Sequence, residues 1–71
     1  MRRVHESVSL ATREAAALAE SVASTFEQMA ATYRRMADGT RSPERATRLR
    51  AHAARLDDLA EREHAAATRF P

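Results

Sequence analysis

The stretch Met36–Arg45, MADGTRSPER, decides the fold, because it holds the one strong interruption in a 71-residue chain. Gly39 can take the left-handed backbone conformation that ends a helix at low steric cost. Ser42 is placed to cap a following helix through its hydroxyl. Pro43 suits the first helical position, where an N–H would lack a partner anyway. Glu44 falls in the first turn, where a carboxylate meets the positive end of the helix macrodipole. A stop, a short loop and a start predict a helical hairpin.

Upstream of the bend, Val4, Val8, Ala11, Ala15, Leu18, Val22, Thr25, Met29, Thr32 and Met36 recur at alternating spacings of four and three. That rhythm marks one stripe of a heptad helix. With Val8 at position a, Ala15, Val22, Met29 and Met36 also fall at a. Ala19, Phe26 and Tyr33 at e widen the stripe, while f is charged throughout, from Glu6 and Arg13 to Glu20, Glu27 and Arg34. Ser24 and Glu27 have capping-box spacing, which offers a break near Ser21–Thr25. With no glycine or proline nearby, an unbroken helix over 3–38 is expected. Thr25 and Thr32 fit the stripe because a helical threonine hydroxyl can bond a carbonyl one turn back.

Downstream, Ala46, Ala53, Ala60 and Ala67 occupy a, and Leu49, Leu56, Glu63 and Phe70 occupy d, with His52, Leu59 and Ala66 beside them at g. A second helix over 43–69 follows. Its all-alanine column lets two helix axes approach closely. The expectation is that the a and d stripes of the two helices face each other, with Val22, Phe26, Met29, Leu49, Leu56 and Leu59 filling the layers. The fold class is therefore all-α, an antiparallel two-helix hairpin forming a single domain over 1–71.

The first helix carries a further small-residue column at b, namely Ala16, Ala23, Ala30 and Ala37, with Ala17 and Ala31 at c. Alanine fills exposed helix positions cheaply, or such a flat column awaits another helix. The unequal helix lengths favour the latter, since the shorter second helix cannot cover Val4, Val8 and Leu10. A symmetric pair of hairpins, completing a four-helix bundle by homodimerisation, would cover them. The residues expected to self-associate are Val8, Ala15, Leu18, Val22, Phe26, Met29, Tyr33, Met36, Leu49, Ala53, Leu56, Leu59 and Ala60.

Bulk composition narrows the chemistry. A chain this short buries too little surface to be comfortable alone and usually relies on a disulfide, a metal or oligomerisation. There is no cysteine, so disulfides and thiolate metal sites are excluded. The pI of about 10.4 reflects arginine that never loses its proton; twelve arginines against ten carboxylates leave a net charge of only +2. His5, Glu6 and Ser7 interrupt the opening, so no secretory signal is expected, nor any membrane span. The expected location is the cytoplasm, with no membrane partner. The outline resembles small secreted helical hairpins that carry Trp-x-Gly at the bend. Here ADGTRS occupies the bend, with no tryptophan, and the resemblance is one of shape alone.

Two patterns could carry chemistry. Arg41, Arg48, Arg55, Arg62 and Arg69 recur every seven residues, a row that suits phosphates. Asp58 and Glu44 stand at ion-pairing spacing within the row, and no aromatic residues interleave it, so nucleic acid is the second reading of that edge. Glu61 and His64 have the Glu-x-x-His spacing of di-iron bundles. Both lean away from the expected seam, as do Glu14, Glu20 and Glu27, so no metal and no cofactor is expected. His52 reads as a partly covered structural histidine. Glu63, a carboxylate at d, marks fraying or an orienting contact. The function expected is that of a non-enzymatic interaction module or regulator that binds itself and a protein partner. A nucleic-acid regulator comes second and a metal-holding bundle third.

Overall fold

The structure, a computed structural model, describes residues 2–69, with side-chain surroundings from residue 6 onward. The side chains of Val4, His5 and Phe70 lie outside the described residues. Helix α1 runs unbroken over Arg2–Gly39 and α2 over Pro43–Thr68. At 1.5 Å per residue, the 38 residues of α1 reach about 57 Å, nearly the whole 63 Å length of the molecule. α2 folds back antiparallel along its bend-proximal part, so the N-terminal turns of α1 project beyond the end of α2.

The bend is built largely as the residues dictate. Ser42 caps α2: its backbone is extended (φ −86°, ψ 114°) and its hydroxyl accepts from the Arg45 N–H at 3.2 Å. Pro43 opens the helix, and the Ser42 carbonyl accepts the first helical bond from Ala46 at 2.9 Å. Gly39 departs from expectation. It keeps a negative φ as the last residue of α1. The reversal is made one step later, over Thr40–Ser42, where the Ser42 N–H donates to the Thr40 hydroxyl at 3.3 Å.

The face that α1 presents to α2 also differs from expectation. The buried core consists of Ala23, Ala30 and Ala37 from α1 with Ala46, Leu49, Ala53 and Ala60 from α2. The b column of α1, not its a/d stripe, meets the a column of α2. Small side chains on both helices let the axes close together, and a Met or Val in either column would hold them apart. Relative to the expected arrangement, α1 is turned by one residue, about 100°. Val22, Phe26 and Leu56 are consequently half-buried flanks of the interface. Met29 and Leu59, expected inside, are 42% and 38% exposed.

Threonine fits as expected. The Thr25 and Thr32 hydroxyls donate to the carbonyls of Ser21 and Gln28, each at 3.1 Å.

Candidate functional site: an apolar face and a polar face

Because alanine holds the hairpin together, the two helices form a flat ribbon with two unlike faces. On one face the f row of α1 borders the e row of α2. There Arg34 bonds Asp57, Arg50 bonds Asp38 at 3.2 Å, and His64 reaches Glu20 at 2.9 Å through Nδ1 and Glu27 at 2.5 Å through Nε2. All are substantially solvated, so each pair ties the helices only weakly.

His64 was expected to lean away from the first helix. The turn of α1 brings its f row alongside α2 and places two carboxylates on the imidazole. Glu20 and Glu27 are thus residues that the heptad reading separated from His64. The matching seven-residue alanine columns were the signal that could have found them. The pKa of His64 is raised above the ordinary imidazole value. The hydrogen bond to Glu27 is the main cause; desolvation opposes it, and the hydrogen bond and charge of Glu20 add to it. With both ring nitrogens engaged by carboxylates, this cluster acts as a helix–helix clasp. Glu61, the other member of the Glu-x-x-His spacing, is exposed on the outer side of α2.

The opposite face is apolar. The e and a rows of α1 and the d and g rows of α2 turn towards it, and Tyr33 stacks on His52 across the seam with ring centroids 5.5 Å apart. A shallow groove on α1 is lined by Thr25, Gln28, Met29, Thr32, Tyr33 and Met36. Through Tyr33 it joins a second groove lined by Arg45, Arg48, Leu49 and His52. Towards the open end the apolar surface continues through Val22 and Leu18 to Val8. Val8 is 61% and Leu18 66% exposed, and Met36 matches Met29 at 42%.

The residues read as a self-association set therefore divide. Leu49, Ala53 and Ala60 are buried between the two helices of one chain. Ala15, Val22, Phe26, Tyr33 and Leu56 are partly covered at its margin. Val8, Leu18, Met29, Met36 and Leu59 stand exposed on or beside the apolar face.

The arginine row is exposed along its whole length. Arg41 lies in the bend, Arg48, Arg55 and Arg62 edge the apolar face on the α2 side, and Arg69 follows the end of α2. Arg55 donates to His52 Nδ1 at 2.7 Å. The intrahelical pairs that the spacing offered are not made: among the described residues, Asp58 and Glu44 form no ion pair with Arg48, Arg55 or Arg62. Asp58 shares only an open hollow with Arg55, Leu59 and Arg62.

Among the described residues, no helix is long and apolar enough to cross a membrane. The chain matches no family model, no curated protein and no solved structure.

Proposed function

We propose that this chain is a small non-catalytic interaction module that self-associates through its apolar face and engages a protein partner through the polar surfaces left outside. One observation carries the reading. Apart from Leu10 on the other side of α1, the exposed large apolar side chains Val8, Leu18, Met29, Met36 and Leu59 stand on or beside one face, while six alanines and Leu49 fill the interior of the hairpin.

Area supports it. The chain exposes 5718 Å², whereas a compact monomer of 7.9 kDa is expected to expose about 4,400 Å². The excess of roughly 1,300 Å² exceeds the ~800 Å² that each partner contributes to a standard interface. The extended 63 × 14 × 9 Å shape spreads that excess over all its faces, and two ribbons laid apolar face to apolar face would bury the part on that face and complete a four-helix bundle. The interior of the single hairpin is also thin: six buried alanine methyls contribute about 5 kcal/mol at ~0.8 kcal/mol each, and Leu49 adds about 1.5–3 kcal/mol.

Sedimentation velocity across a dilution series tests this reading. The expected result is a dimer that dissociates on dilution, with Met29→Glu/Met36→Glu remaining monomeric. A folded 7.9 kDa species persisting at millimolar concentration overturns it.

A second reading is favoured by the exposed arginines. With Arg48, Arg55 and Arg62 unpaired by carboxylates among the described residues, the α2 edge could follow a nucleic-acid backbone. Binding to random duplex that falls steeply with added salt would support that role. Absence of binding at low salt removes it.

A further inference from the structure

We infer that the occupant of the apolar face is a second copy of this chain lying antiparallel, its bend beside the projecting N-terminal turns of the first, with the two-fold axis near Val22. The inference rests on the self-association proposed above and adds the orientation, which two independent features of the molecule fix.

Charge is the first. Residues 34–50, which make up the bend end, hold six arginines against two carboxylates, a net +4. Residues 6–33 and 51–69 hold four arginines against eight carboxylates, a net −4 with histidine neutral. Counting Arg2 and Arg3, the body is still at −2. Positive charge is therefore concentrated at the bend end of the 63 Å ribbon. Copies lying parallel would set the two basic bends side by side, with Arg35, Arg45 and Arg48 of each rimming the shared face. That like-charge contact opposes association. Antiparallel copies part the two bends and set each beside residues 2–14 of the other, where three arginines against two carboxylates leave only +1.

The second is the shape of the uncovered surface. His64, one turn from the end of α2, clasps Glu20 and Glu27, so α2 stops near the level of Leu18. Beyond it α1 continues alone, with Val8 61% exposed. The exposed stripe runs from Val8 to Met36, and its midpoint is Val22. A two-fold axis at Val22, perpendicular to α1, brings Val8 of one copy to the level of Met36 of the other. The single-helix end of each chain then rests on both helices of its neighbour. In the parallel arrangement each projecting end meets only the other projecting end, and the stripe has one helix on it where it needs cover most.

The absence of cysteine makes the test direct. Arg35→Cys and, separately, Ser21→Cys are spin-labelled, and distances are measured by double electron–electron resonance under conditions where sedimentation reports the dimer. In the antiparallel dimer Arg35 lies thirteen residues from the axis. At 1.5 Å per residue the labels stand about 40 Å apart. Ser21, beside the axis, gives a short distance. In a parallel dimer both positions face their equivalents across the bundle, with helix axes about 8–10 Å apart, so both labels give a short distance. A short distance from both labels overturns the antiparallel orientation while leaving self-association intact. No dipolar modulation from either, with a monomer in sedimentation, overturns self-association itself and the orientation with it.

Discussion

Substituting Ala30 and its neighbour Met29 in turn separates the alanine interface from the heptad seam. Ala30 is fully buried against α2 and Met29 is 42% exposed. Ala30→Leu adds three carbons to a site with no free surface, between two helices held close by methyl groups. Overpacking of this kind costs about 1–3 kcal/mol, while leucine and alanine differ little in helix propensity. Met29→Ala removes a side chain that the hairpin only partly covers. Roughly half of the ~1.5–3 kcal/mol of a fully buried methionine is at stake, and the better helix propensity of alanine returns a few tenths. The net cost is about 0.5–1 kcal/mol. In a domain of this size each kcal/mol moves Tm by about 4–8 °C, so Ala30→Leu is expected to melt well below Met29→Ala.

Thermal and urea melts followed by far-ultraviolet circular dichroism check the order. They should be run at two protein concentrations tenfold apart, so that any loss of self-association in Met29→Ala appears as a concentration-dependent part. If the a/d stripe of α1 faced α2, the order would invert. Met29→Ala would then cost about 2–5 kcal/mol, and Ala30→Leu, on an exposed face, would fall within about 0.5 kcal/mol of the parent. That inverted order would refute the packing described here and the exposed apolar face that depends on it.

Other outcomes follow from single contacts. Gly39 has a negative φ, and a Cβ there meets nothing within 4 Å, so Gly39→Ala should stabilise by about 0.4–1 kcal/mol; a loss of stability in urea melts would show that the bend needs glycine. Ser42→Ala removes the hydroxyl that accepts from Arg45 and should cost about 1 kcal/mol, checked by the same melts against Thr47→Ala. The raised pKa of His64 gives its clasp a definite sign. The contribution is complete below the unfolded imidazole value near 6.5 and is lost as pH rises through the higher folded value. Protection of the amides near Glu20 and His64, taken relative to the intrinsic exchange rate at each pH, should therefore fall on that rise, and His64→Gln should abolish that change; unchanged protection across the range would remove the clasp.

Local signals carried most of the fold. Ser42, Pro43 and Glu44 fixed the start of α2 because caps and first-turn preferences act within four residues. Thr25 and Thr32 remained in helix because their hydroxyls bond within their own turn. The misplaced element was the rotation of α1 about its axis, and the cause is physical. Columns a, b and d all repeat every seven residues, so periodicity alone cannot say which of them takes the intramolecular partner. Side-chain size pointed to the Val and Met stripe, yet the partner column Ala46, Ala53 and Ala60 rewards close approach. Only the equally small Ala23, Ala30 and Ala37 can match it. Gly39 was misjudged for a related reason: its permissiveness was visible, but three further residues were available to turn the chain without it.

That rotation has a consequence for the candidate site. A hairpin closed by Val, Leu and Met would satisfy its apolar surface internally and leave little for a partner. By closing on alanine, this chain joins its helices through its smallest side chains and leaves much of its larger apolar surface outside. Val8, Leu18, Met29 and Met36 then lie along one line of a rigid helix, already at the spacing that a second heptad stripe would meet. The same rotation moves Glu20, Glu27 and Arg34 into the opposite seam, where they clasp α2 and leave the α1 side of the apolar face uncharged, with the arginines of α2 at its rim. Sorting charge to one face and apolar bulk to the other is one geometric event. A variant that turned α1 back by one residue, such as an exchange of the Met and Ala identities at 29 and 30 together with 36 and 37, should therefore carry its methionines off the present apolar face and break the His64 clasp at once. Sedimentation of that variant as a monomer, with the pH dependence of amide protection near His64 also gone, is the expected joint result; loss of one without the other would show that the two faces are not coupled through the rotation of α1.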